Sequence, residues 1–457
     1  MIILPRTYAT VPKKNISYIV LTAIIIGIIV VTQPWKLGRT LHNEGTDTTA
    51  VQLENCLPAE GNESIRIVPV KTCIYMENSG SMDGYVNLNS EFKDALGKII
   101  VKSNNCSSST DLFFVNDAIY DVQQTALKGD INNFVSQLNA SNMKVGATGS
   151  SNINKIFKMV LDKTVNDTVS ILFSDFVYSI KGTDVSSQIS NAKNATMGAF
   201  MDAIKRNPDF ATIILQCSSQ FQGKYYDRND HPIPFVGTRP YYIFIMGPYD
   251  KLKYLDEKLA LNNSNTGIPG LTNKYLLSSK TWTLDENTVQ ALTTSYTNSL
   301  LIKPDRNGFD IDFFKFDHSN SNWDFAYALG LSNLFVDGSY LTDKNNYEVE
   351  PGDVSVIKAE YTKDPAALSE VAQFSSPLVL QFSMERTVKT PNMKVRLINK
   401  IPAWVSAADV ADDQGAVPSP TQTFAIGSLI AGVYEAYQSQ TSGKPIFEFE
   451  VKINKYK

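Results

Sequence analysis

The chain has little of what most metal and nucleophile chemistry needs. In 457 residues there are three histidines (His42, His231, His318) and four cysteines (Cys56, Cys73, Cys106, Cys217). No two cysteines have the C-x-x-C spacing of a zinc site, and a Ser-His-Asp hydrolase would have to recruit His231 or His318 as its base. A Gly-x-Ser-x-Gly elbow is missing. Ser90-Glu-Phe-Lys93 and Ser355-Val-Ile-Lys358 match Ser-x-x-Lys, but no Ser-Asp-Asn or Lys-Thr-Gly companion accompanies them. No Lys/Arg cluster stands out and the net charge is −4, so the basic face of a nucleic-acid binder is lacking. Long apolar runs are also scarce: only one stretch is long enough to span a bilayer.

That stretch lies near the N-terminus. Residues 16–32 are almost wholly aliphatic, no charge occurs between Asn15 and Trp35, and the expected span is residues 16–34. This predicts one transmembrane helix after a short tail (residues 1–15). Arg6, Lys13 and Lys14 precede it, which favours a cytoplasmic N-terminus and an exported body. Gln33-Pro34-Trp35-Lys36 follows instead of a small-x-small cleavage site, so the segment reads as an uncleaved anchor. An even number of cysteines on the exported side permits one or two disulfides, with connectivity left open. Cys73 reads as a small buried strand residue.

With 43% hydrophobic and 19% charged residues, most of the remainder has the composition of a folded protein. Residues 35–64 are polar and aperiodic, a stalk. From residue 65 to about 265, apolar strands alternate with amphipathic helices. Phe92, Leu96, Ile99 and Ile100 share one helical face, as do Ile153, Ile156, Phe157, Val160 and Leu161, with Ser150 or Ser151 as N-cap. Such alternation predicts a doubly wound, mainly parallel α/β sheet with helices on both faces. From residue 271 to 457 strand-like runs dominate, with turn dipeptides at Asn307-Gly308 and Asp337-Gly338. This predicts a separate β-rich α+β domain carrying one packed helix around Ile426–Tyr437. The aromatic-rich stretch from Ser218 to Pro240 reads as a long exposed connection, whose aromatics either anchor a partner or pack over the domain's edge.

In open α/β sheets ligands bind beyond the carboxyl ends of the strands. Three such loops hold Glu77-Asn78-Ser79-Gly80-Ser81, Gly149-Ser150-Ser151-Asn152 and Ser174-Asp175. This ordered set resembles the von Willebrand factor A (vWA) family and its metal-ion-dependent adhesion site, whose pattern is Asp-x-Ser-x-Ser, then Thr, then Asp. The resemblance spans about residues 65–261. It implies a metal site of Glu77, Ser79, Ser81, Ser151 and Asp175, with an ion that completes its octahedron on a partner's carboxylate. Hydroxyl and carboxylate oxygens without histidine or thiolate suit Mg²⁺ or Mn²⁺. The chain departs from the pattern at Glu77 for Asp, Ser151 for Thr, and Phe176 for the usual Gly, which would crowd the approach.

The expected function is therefore non-enzymatic: a membrane-anchored protein-binding or scaffolding protein, with its body on the exported side, as on the periplasmic face of a bacterial inner membrane. Its expected contacts are a protein partner and, through the N-terminal helix, the membrane, but not nucleic acid. The alternatives are a structural subunit of a membrane assembly with a vestigial metal site, and a serine hydrolase.

Overall fold

The computed structural model describes residues 70–149, 152–261, 267–315, 317–385 and 392–455. The expected anchor (16–34) and stalk (35–64), and Cys56, lie outside these residues. Among the described residues no helix is long and apolar enough to cross a membrane.

A seven-stranded sheet forms the first layer. Its strands are β1 (Lys71–Glu77), β2 (Ser109–Val115), β3 (Ile119–Asp121), β4 (Thr168–Ser174), β5 (Phe210–Tyr226), β6 (Pro232–Pro248) and β7 (Leu271–Ser278), in the order β3-β2-β1-β4-β6-β5-β7. The centre β2-β1-β4 is parallel, and β3, β6, β5 and β7 join it antiparallel. The architecture is thus mixed α/β. Its parallel part is the part joined by helical crossovers, because a parallel neighbour needs a long return whereas β5 and β6 need only a turn.

The central strands are buried on both faces, which explains their unbroken apolar runs. Met76 and Phe173 face one core with α1 (Glu91–Cys106) and α4 (Tyr249–Leu259). Tyr75 and Leu172 face the other with α2 (Ile153–Lys163) and α3 (Val185–Arg206). The predicted apolar faces of α1 and α2 are the buried ones. Asn152, rather than Ser150 or Ser151, caps α2: its side-chain oxygen accepts from the Lys155 amide at 3.0 Å. Ser90 caps α1, accepting from the Lys93 amide and donating to the Tyr85 carbonyl, while Lys93 Nζ donates to Leu138 O. The first Ser-x-x-Lys match is therefore a helix cap.

Apart from β17 (Asp409–Val410) and β18 (Thr423–Phe424), which pair in parallel with each other, the remaining strands form a sandwich. One sheet contains β8 (Trp282–Thr283), β10 (Leu301–Pro304), β11 (Ile311–Lys315), β13 (Tyr347–Glu350), β16 (Asn392–Leu397) and β19 (Phe447–Lys455). The other contains β9 (Val289–Leu292), β12 (Asn322–Leu329), β14 (Val354–Tyr361) and β15 (Leu378–Glu385). Phe325 and Phe382 stack within its core and Tyr327 reaches Phe449 across it. The expected turn at Asn307-Gly308 joins β10 to β11, with Gly308 at φ +76°.

Two expectations about the division of the chain need correcting. β7, the first strand after residue 270, belongs to the α/β sheet through its ladder with β5. The C-terminal helix α5 (Ile426–Thr441) packs on α3 and the α/β sheet, not on the sandwich. Leu429, Ile430, Val433 and Tyr437 lie in the same core as Phe157 and Phe244. Tyr437 Oη meets Thr212 Oγ1 of β5 at 2.8 Å, and Lys193 of α3 pairs with Glu435 at 2.9 Å. The periodicity of α5 shows that one face is buried but not against what. All described residues lie in one compact unit.

Candidate functional site

The parallel strands β1 and β4 end side by side, which delivers the first and third loops to one place. Glu77 closes β1 and is wholly buried; its oxygens accept from the Ser79 amide at 3.0 Å and the Ser174 hydroxyl at 3.4 Å. Asn78 fixes the loop from below. Its side-chain amide donates to Met143 O and Val145 O at 2.7 and 2.9 Å, and its side-chain oxygen accepts from Asn116. Gly80 N donates to Thr148 O at 3.1 Å, tying the first loop to the second. Ser79 Oγ and Ser81 Oγ then lie 2.9 Å apart.

Asp175 follows β4 and is 3% exposed. Burial pushes its carboxyl pKa up, opposed by hydrogen bonds from the Ser81 hydroxyl and the Val177 amide and by the positive charge of Arg239. The next residue, Phe176, is left-handed at φ +51°. That is where the family pattern has Gly, which adopts such a φ without steric cost. Phe176 does not crowd the approach. Its ring is buried between Phe157 and Phe244, at 5.5 and 4.8 Å.

The structure thus gathers Ser79, Ser81 and Asp175, with Glu77 bound behind them; Ser151 lies outside the described residues. Ser79 and Ser81 line a cleft of roughly 80 Å³, with Asp175 and Glu77 buried behind it. It is lined from the second loop by Thr148 and Gly149, and from beyond β4 by Val177 and Ser179.

Its roof was not anticipated. Ser218–Pro240 is no exposed connection but the outer half of the β5–β6 hairpin, and its turn places Tyr226, Asp227 and Asp230 on the cleft. Phe221 and Tyr225, at 2% and 3% exposure, point inward. With the buried Ser219 they alternate with the exposed Gln220, Gln222 and Lys224, and this period of two is the strand signal the region carries. Gly84 is needed beneath them, since a Cβ there would sit 2.3 Å from the Phe221 ring.

The segment before α5 holds this turn down. Arg228 bonds Asp412 and Gln414, each at 2.7 Å. Asp227 accepts from the Asn229, His231 and Gly415 amides; burial raises its pKa, but these bonds prevail and hold it below the ordinary value. Arg239, 1% exposed, donates to Ser419 O at 2.6 Å and lies over the Tyr225 ring. His231 is largely exposed and pairs with Asp227 at 3.4 Å.

Among the described residues no group of three or more His, Cys, Asp or Glu side chains could hold a metal ion. The hydroxyl-rich set fits a hard divalent ion in one measurable respect. Ser79 Oγ and Ser81 Oγ are hydrogen-bonded to each other at 2.9 Å, about the separation that neighbouring oxygens would have on an octahedral ion with bonds of about 2.0–2.1 Å. Glu77 is bonded to Ser79 N and Ser174 Oγ, so its visible part is to brace the loop. Cys73 and Cys217 are buried free thiols. No family model matches the chain, and no curated protein matches it.

Proposed function

We propose that the protein is a vWA-like, non-enzymatic binding or scaffolding protein, tethered to a membrane by residues 16–34 with its body on the exported side. Its partner site is the cleft at Ser79 and Ser81, backed by the buried Asp175. The observation that supports this reading is the convergence of these side chains at the carboxyl ends of two neighbouring parallel strands, with the two hydroxyls 2.9 Å apart. Ser79, Ser81 and Asp175 would hold Mg²⁺ or Mn²⁺, and Thr148 stands beside them. The ion would supply an electrophilic point for a partner's carboxylate; with a single carboxylate among these three side chains, half of its charge would remain uncompensated. The hairpin turn restricts the approach to an acidic side chain small enough to pass Tyr226 and Asp230.

A second reading is a structural subunit of a membrane assembly that uses the same cleft without an ion. The internal bonds of Glu77 and the charge of Arg239 near Asp175 favour it. Calorimetric titration of the full-length chain in detergent with MgCl₂ and MnCl₂ separates the two. The metal reading expects saturable binding that Asp175→Ala abolishes; absence of binding heat in the parent protein leaves the ion-free reading.

A further inference from the structure

β7 is the last strand of the α/β sheet and pairs only with β5 among the described residues. Every residue from Thr272 to Leu276 lines a cleft of about 410 Å³. Successive strand residues point to opposite faces, so a cleft touched by all of them lies against the strand's edge. A second cleft of about 790 Å³ is lined by every residue from Gly267 to Lys274, and the two share Thr272, Asn273, Lys274, Asp337 and Ser339. They form one slot along β7, roughly 26 Å for eight residues at about 3.3 Å each. The far wall is the Phe335–Ser339 loop of the sandwich with Tyr340, and the Asn399–Trp404 segment.

An open edge presents unpaired N–H and C=O groups and is usually blunted by proline, a bulge or an outward lysine. Here Lys274 does not serve as that guard, because its ammonium is drawn into a buried pair with Asp256 at 2.5 Å. The lining carries a small positive excess: Lys98, Lys280 and Lys400, besides the paired Lys274, against Asp337 and Asp343. Lys98, beside Gly267, and Lys400, on the far wall, each donate to a carbonyl oxygen at 2.7 Å rather than to a carboxylate. Asp337 accepts from Ser339 N and Asp343 from Asn345 N, which fixes these carboxylates without removing their charge.

We propose that this slot is a second binding site, which takes an extended, acidic segment of a partner protein as an eighth strand of the sheet. Main-chain pairing along β7 would supply affinity, and Lys98 and Lys400 would select acidic side chains. The site is separate from the Ser79 cleft and does not depend on a metal there.

The test uses the full-length chain in detergent and a fluorescein-labelled peptide of sequence Thr-Val-Glu-Val-Thr-Val-Glu-Val. Companion peptides carry Lys for Glu, or N-methyl groups on alternate amides in each of the two possible sets. Anisotropy is expected to show saturable binding of the acidic peptide. One N-methylated set should weaken it by about tenfold or more while the other leaves it intact, since only one edge of the peptide pairs. Lys98→Glu with Lys400→Glu should weaken it by at least about fivefold. Failure of the acidic peptide to bind, equal binding of the lysine peptide, or indifference to both methylated sets would overturn the proposal. Photocrosslinking from benzoylphenylalanine placed at Ser339 identifies the occupant. An adduct with added peptide supports the proposal; an adduct only within the chain, or only between two copies, counts against it.

Discussion

Phe176 shows how one residue reconciles two demands. The backbone after Asp175 must turn left-handed to leave the strand end. For a bulky L-residue this costs about 1–2 kcal/mol, while burying a phenyl ring contributes about 3–5 kcal/mol as judged by truncation. Phe176→Gly should therefore relax the backbone yet destabilise the protein by roughly 2–3 kcal/mol, read from urea unfolding midpoints. A stabilised variant would show that the ring contributes less than the turn costs.

The Lys274–Asp256 pair makes a sharper case. Burial raises the Asp256 pKa despite Lys274. A carboxyl raised in the folded state favours folding while protonated; that stability is fully present below the unfolded pKa and is lost as pH rises through the folded one. Lys274→Met should cost about 3–5 kcal/mol near neutral pH and less at about pH 4, where Asp256 can protonate. Urea melts at the two pH values check the difference.

At the scale of elements, contacts distant in sequence organise the site. α5 reaches α3 at Gly432, where a Cβ would lie 2.6 Å from Lys193 O. Gly432→Ala should force the helices apart and cost about 1–3 kcal/mol; retention of full stability would mean that α3 yields freely. The hairpin turn is held by Arg228, whose guanidinium also reaches Ile180 O. Arg228→Ala should speed amide exchange selectively in residues 226–231 and 409–415, while α1 and β1 keep their protection. Uniform exchange across the molecule would instead indicate global loosening. The strands and helices themselves were legible, as α1, α2, β1 and β4 show, because their apolar periodicity reports burial directly. The hairpin roof was not, because its strand alternation is diluted by Gln, Gly and Pro and resembles a polar loop until β5 and β6 are seen paired.

At the scale of the whole molecule, the chain crosses the sandwich and then returns to the α/β layer. β7 and α5 complete the first layer from beyond residue 270. Ile426, Leu429, Ile430, Val433 and Tyr437 bury side chains worth roughly 1.5–3 kcal/mol apiece, together comparable with or larger than a domain's usual net stability of about 5–15 kcal/mol. A fragment ending at residue 270 is therefore expected not to fold, and the full chain to be protected as one piece in limited proteolysis. A stable fragment of that kind would disprove the interleaving. What the sequence by itself determined was local: the period of each element, the burial of each face, and the three loops with their hydroxyls and carboxylates in order. Only the tertiary structure decided which strands pair antiparallel, which core receives α5, that Glu77 turns to Ser79 and Ser174, and what roofs the cleft. Periodicity records that a face leaves water, and hydrophobic burial is non-directional; the partner it meets is chosen by hydrogen bonds and packing between residues far apart in the chain.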